Sequence, residues 1–130
     1  MKVVAVSQRV DTLRDRDEER DGLDQRLVCF LEASGYISAP VPNTLRPNNL
    51  TIYLEHLRPH SVVLSGGNDL GLLLPRDSTE RCLLDYAAQM NLPVLGICRG
   101  MQIMACRFGA SLKEVEGHVS TRHCLQGEIR

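Results

Sequence analysis

From Lys2 to Phe108 the chain alternates short apolar runs with one-sided apolar repeats. Lys2 to Val6, rich in valine, predicts a short buried strand. Leu23, Leu27, Phe30 and Leu31 recur on one side of a helix between about Arg20 and Ser34, and Gly35 supplies its stop. Tyr36 to Val41 predicts a second strand, and Pro40, Pro42 and Pro47 mark the loop after it. Asn48 or Asn49 can cap a short helix carrying Ile52, Tyr53, Leu54 and Leu57, ended by Pro59. Ser61 to Ser65 predicts a third strand. Asp77-Ser78-Thr79-Glu80 has the look of a capping box, opening a helix that turns Leu83, Leu84, Ala87 and Ala88 inward and stops near Asn91 and Pro93.

Val94 to Ile97 is a fourth strand, and Met101, Met104, Ala105 and Phe108 give the next helix its period before Gly109 closes it. Ala110 to Val115 predicts a last short strand. The charged stretch from Ser7 to Arg20 is expected to be a solvated loop. Alternatively Ser7, Gln8 and Arg9, just past the end of a strand, face a ligand, as such positions do in open α/β sheets. Strand and helix alternating in this way imply one α/β domain over 1–130, with a mostly parallel sheet and helices on both faces.

Cys98 stands where the fourth strand meets its helix, with Gly96 and Gly100 on either side. That is the arrangement of a nucleophile elbow, in which a sharp turn lifts one side chain above a strand end. The competing expectation is a buried, inert cysteine. An attacking thiol needs N–H donors for the oxyanion it creates. Arg99, the first residue after Cys98, offers one, and the Gly66-Gly67 pair after the third strand offers a second from the neighbouring strand end.

Composition narrows the partners. Apolar residues make up 43% of the 130 and charged residues 24%, enough for a globular core. A net charge of −1, no tryptophan and 4% aromatics argue against nucleic acid, and no apolar run is long enough for a membrane span. The five cysteines form no Cys-x-x-Cys pair and fit free thiols in a reducing cytoplasm. No cofactor is expected.

Val63-Leu64-Ser65-Gly66-Gly67-Asn68-Asp69 followed by Pro93-Val94-Leu95-Gly96-Ile97-Cys98-Arg99-Gly100-Met101-Gln102 resembles the class I glutamine amidotransferases. Within them it looks most like the branch of γ-glutamyl hydrolases and γ-glutamyl-GABA hydrolases, peptidase family C26. The resemblance covers roughly residues 60 to 123 and includes the Gly117-His118-Val119-Ser120-Thr121-Arg122-His123 stretch. It implies a flavodoxin-like three-layer α/β/α fold and a Cys-His-Glu triad. The nucleophile Cys98 would attack a γ-glutamyl amide and form a thioester, Arg99 and Gly66 or Gly67 would supply oxyanion N–H groups, and Gln102 would help hold the glutamyl group. The partner implied is glutamine or another small γ-glutamyl compound, with a synthetase domain or a second copy of the chain as further candidates.

Two features depart from the family pattern. Ser65 stands where a proline is common. His118 and His123 are the histidines beyond the elbow, and neither matches the family's catalytic position, so the triad histidine and glutamate are not found in this chain. The chain therefore reads as an amidotransferase-like domain truncated at its C-terminus. A non-catalytic binding module, or a redox-sensing or glyoxalase-like cysteine protein of the PfpI type, are the alternatives.

Overall fold

Val4, Ala5 and Val6 in β1 (Lys2–Ser7) are fully buried, because a central parallel strand is covered on both faces. The computed structural model describes residues 1–122 of the chain. After β1 come β2 (Arg9–Leu13), β3 (Glu18–Gly22), α1 (Gln25–Ala33), β4 (Tyr36–Val41), α2 (Pro47–Leu57), β5 (Ser61–Leu64), α3 (Leu74–Gln89), β6 (Val94–Gly96) and α4 (Arg99–Arg107). The main sheet has the order β4-β1-β5-β6 with every pair parallel, Ala5 opposite Ala39 and Val62, and Val63 opposite Leu95.

Side chains alternate across this sheet and divide the core in two. Ala5, Val62 and Leu64 point to the face covered by α2, α3 and α4, against Leu50, Leu54, Leu83, Leu84, Ala87 and Ile103. Val4, Val6 and Val63 point to the other face, against Leu31 of α1 with Leu23, Leu27 and Ile97 at its margin. Helices on both faces of a parallel sheet make the three-layer α/β/α arrangement of a flavodoxin-like fold. Asp24 caps α1 by accepting the Arg26 N–H at 2.8 Å, and Gly35, at φ +85°, turns the chain out of it.

The local pattern misplaced several features. The charged stretch after β1 is not a loop: Arg9–Leu13 and Glu18–Gly22 pair as an antiparallel hairpin. Its polar residues serve as tertiary ties. Asn68 accepts the Val10 N–H at 2.9 Å and donates to the Val10 carbonyl at 3.0 Å, while Asp21 accepts the backbone N–H and the side-chain amide of Asn43. Asn48 and Asn49 lie inside α2 rather than capping it; Pro47 takes the first turn, where a missing N–H costs nothing. Nor does Asp77 open α3, which begins at Leu74, so Asp77 and Glu80 are buried on its inner side while Ala88 faces out. In α4 the buried residues are Arg99, Gly100 and Ile103, and Met101 and Phe108 are exposed. Ala110 to Val115 forms no strand: all six residues are exposed and unpaired with any strand, and among the described residues β6 pairs with β5 alone.

Candidate active site

β6 ends at Gly96, α4 begins at Arg99, and the chain turns between them in two residues. Ile97 is fastened to the neighbouring strand by its N–H on the Leu64 carbonyl at 2.9 Å, and Gly100 donates back to the Ile97 carbonyl at 2.9 Å. Cys98 absorbs the turn with φ 52° and ψ −107°, a conformation that a residue with a Cβ rarely adopts. Such strain costs on the order of 1–3 kcal/mol and persists only where the surroundings fix it.

The glycines are what fix it. A Cβ on Gly100 would lie 2.1 Å from the Leu64 carbonyl oxygen, and one on Gly96 would lie 2.7 Å from the backbone of Gly100 and Met101. α4 therefore sits directly on β5 and β6, and the elbow cannot relax by moving away. The result is an exposed Cys98, in line with the elbow and against the competing expectation of a buried, inert cysteine. A Cβ on Gly66 would come 3.5 Å from the Cys98 Cβ, so the loop after β5 lies beside the nucleophile position. No acceptor among the described residues takes the N–H groups of Gly66, Gly67 or Arg99, the three expected oxyanion donors. Gln102, half-buried in the first turn of α4, donates its backbone N–H to the Cys98 carbonyl at 3.1 Å.

Behind the turn lies a buried cluster of four charged side chains, Arg76, Asp77 and Glu80 of α3 with Arg99 of α4, none more than 2% exposed. Arg99 makes ion pairs with both Asp77 and Glu80. Arg76 shares Glu80 at 3.3 Å and donates to the carbonyls of Ser65 at 2.9 Å, Gly66 at 3.1 Å and Gly67. Ser7 joins the cluster, donating to Glu80 at 2.7 Å and accepting the Ser65 N–H at 2.9 Å. Burial, with a contribution from the charge of Arg9, pushes the Arg76 guanidinium down to about 10, still charged at neutral pH. Burial first, then the charge of Arg76, also lowers Arg99, while Asp77 acts in the opposite sense.

Sequence reasoning missed this cluster, although a signal was present. Arg76 and Glu80 fall at i and i+4 and continue the stripe of Leu83, Leu84 and Ala87, so two charges occupy the apolar face of a helix.

Of Ser7, Gln8 and Arg9, the residues expected to face a ligand, Ser7 and Gln8 are engaged in the fold, Gln8 donating to the Val41 carbonyl at 3.0 Å. Arg9 is exposed, stacked over Gly67 and paired with Asp11 at 2.7 Å. Beside it opens a cleft of about 490 Å³, lined among others by Arg9, Leu27, Phe30, Gly67 and Ile97.

His56 and His60 are held away from Cys98 by bonds of their own. His60 precedes β5, where its Nδ1 accepts the Val3 N–H at 3.2 Å, at the opposite end of the strand from Gly66. His56 lies on α2, bonded to the Ile52 carbonyl at 2.8 Å, and His118 is exposed in the turns after α4. His123 lies outside the described residues. Among the described residues no group of three or more His, Cys, Asp or Glu side chains could hold a metal ion, and no helix is long and apolar enough to cross a membrane.

Residues 2–127 match the Peptidase C26 family. The chain is 37% identical over 73 residues to a γ-glutamyl-CDP-amidate hydrolase of Campylobacter jejuni, covering 52% of this chain and 36% of that protein. It is 33% identical over 66 residues to a glutamine-hydrolysing GMP synthase of Ruthia magnifica, covering 51% and 12%. An anthranilate synthase of Azospirillum brasilense is 34% identical over 90 residues, covering 66% and 12%. The matched stretch thus spans about a third or less of the length of these curated relatives.

Proposed function

The chain belongs to the Peptidase C26 family, and we propose from that premise that Cys98 is the nucleophile of a glutamine amidotransferase or γ-glutamyl hydrolase reaction. The observation that carries the proposal is the strained turn of Cys98, which holds an exposed thiol beside a glycine loop whose N–H groups are unengaged. In this reaction the Cys98 Sγ attacks the side-chain carbonyl carbon of a γ-glutamyl amide. The carbonyl electron pair moves onto oxygen, where the N–H of Arg99 and that of Gly66 or Gly67 receive it. The C–N bond then breaks, the leaving amine carries away the proton given up by the thiol, and a γ-glutamyl thioester remains for water to hydrolyse. Gln102, in the first turn of α4 and bonded through its backbone N–H to Cys98, is assigned to the glutamyl group. The base that moves the proton is assigned to no residue of this chain.

The cleft beside Gly67 gives the leaving group room. The substrate class is glutamine or a γ-glutamyl amide, and the name of the Campylobacter relative points to a phosphate-bearing leaving group as one member of it. A γ-glutamyl p-nitrophenyl ester tests the proposal, because nitrophenolate leaves without needing a proton. Wild-type chain should release a burst of nitrophenolate that Cys98→Ala lacks; equal release by the two proteins contradicts the assignment.

A non-catalytic binding role is favoured by one observation, that His56 and His60 are both engaged elsewhere, on the Ile52 carbonyl and the Val3 N–H. It predicts glutamine binding without any burst.

A further inference from the structure

We propose that Arg76 and Glu80 are positioning residues that aim the oxyanion donors of both strand ends, acting as one clamp behind Cys98. The inference rests on Cys98 being the γ-glutamyl nucleophile.

A trans peptide holds each C=O antiparallel to the N–H of the next residue. Arg76 gathers the carbonyls of Ser65, Gly66 and Gly67 onto a single guanidinium. The N–H groups of Gly66, Gly67 and Asn68 must then face away from it. Three successive carbonyls converge only because the chain turns sharply, with Gly67 at φ +84° and Asn68 at φ +61°. Arg76 also donates to Asn68 Oδ1 at 2.8 Å, which secures the last residue of the turn.

Glu80 joins this loop to the elbow. Its Oε1 receives Arg76 and the Ser7 hydroxyl, and its Oε2 receives Arg99, the residue whose N–H is the other donor. The two strand ends, already joined by the Ile97 N–H on the Leu64 carbonyl, are therefore linked a second time through a buried carboxylate that neither solvent nor a substrate can reach. A lysine at 76 would keep the charge but, with three N–H groups on one nitrogen, could not serve the three carbonyls and Glu80 together. Burying three ion pairs where apolar side chains would stabilise at least as well makes sense if what they fix is geometry.

The test separates carbonyl addition from plain alkylation at the same sulfur. A γ-glutamyl aldehyde adds to Cys98 by forming the S–C bond and breaking the C=O π bond, with the thiol proton ending on oxygen; this step needs the oxyanion donors. Iodoacetamide displaces iodide and needs none. In Arg76→Lys the affinity for the aldehyde should fall by about ten- to a hundredfold, less than the 10²–10³ typical of deleting a donor outright. The iodoacetamide rate should stay within about twofold. Parallel loss of both, or loss of neither, overturns the clamp.

Glu80→Gln, which keeps the shape and one acceptor oxygen, should show the same split and serves if Arg76→Lys does not fold. A wild-type chain that forms no aldehyde adduct at Cys98 contradicts the nucleophile assignment itself. The clamp is then judged on the backbone amide resonances of Gly66 and Gly67, which must move in Arg76→Lys, and it is overturned if they do not.

Discussion

Residues 61–100, which lead into the Cys98 elbow, and residues 106–122, which follow it, are built on different physical terms. In the first stretch β5 is buried throughout, α4 rests on it without room for a methyl group at Gly100, and four charged side chains are sealed behind the turn. In the second every residue is exposed, including Phe108, Leu112, Val115 and Val119, and beyond α4 no regular element forms. The contrast separates what holds the thiol from what lies around it. Buried charge is tolerated only where the geometry is fixed and partners are in place; on one side of Cys98 each of the four charges has an ion-pair partner, although among the described residues the Arg99 Nε finds no hydrogen bond. Substitutions on the two sides should therefore differ by several-fold in effect.

The largest loss is expected from Glu80→Ala, which strips a shared carboxylate from two buried arginines. Leaving such charges uncompensated costs about 3–5 kcal/mol, to be read as a fall in the urea midpoint. Gly100→Ala should follow with about 2–3 kcal/mol, the cost of overpacking, since the nearest obstruction is the Leu64 backbone, which cannot swing aside as a side chain could. Asn68→Ala removes both bonds to Val10 and should cost about 1–2 kcal/mol; hydrogen exchange should quicken in β2 and β3 while β5 keeps its protection.

Cys82 is expected to contribute less. Burial, and then the charge of Asp85, push its thiol above its ordinary 9.0. The folded chain therefore keeps a proton that the unfolded chain releases, so this contribution is full below 9.0 and fades as pH rises beyond it. Cys82 should also alkylate more slowly than the exposed Cys29 and Cys106 at mildly alkaline pH, and Cys82→Ala should flatten the fall of the urea midpoint above pH 9.0. Val119→Ser, on the exposed side, should change stability by no more than about 0.5 kcal/mol. A loss of several kcal/mol there, or a neutral Glu80→Ala, would break the comparison.

Much of the rigid side was legible before any coordinates. Period and punctuation located β1, β4, β5 and β6, since valine-rich runs between glycines and prolines have few other uses. Gly96 and Gly100 announced the elbow because only a residue without Cβ fits between a strand and a helix lying on it. The hairpin of β2 and β3 was hidden, because its strands carry almost no apolar alternation and are secured by Asn68 and Asn43 from elsewhere in the chain. The face of α4 was read from Met101 and Phe108, yet the helix buries its narrow side, where Gly100 meets Leu64. The clamp stayed hidden for a related reason. Arg76 and Asp77 look like the polar opening of a surface helix until Arg99 is known to come from the opposite side.

The central claim is that the strained turn makes Cys98 the γ-glutamyl nucleophile. It is tested most directly by treating the chain with a diazoketone analogue of glutamine and mapping the label by peptide mass spectrometry, with and without excess L-glutamine. Label on Cys98, suppressed by glutamine, with the equally exposed Cys29 and Cys106 untouched, is the expected result. Label spread over all three thiols, or unaffected by glutamine, would contradict it.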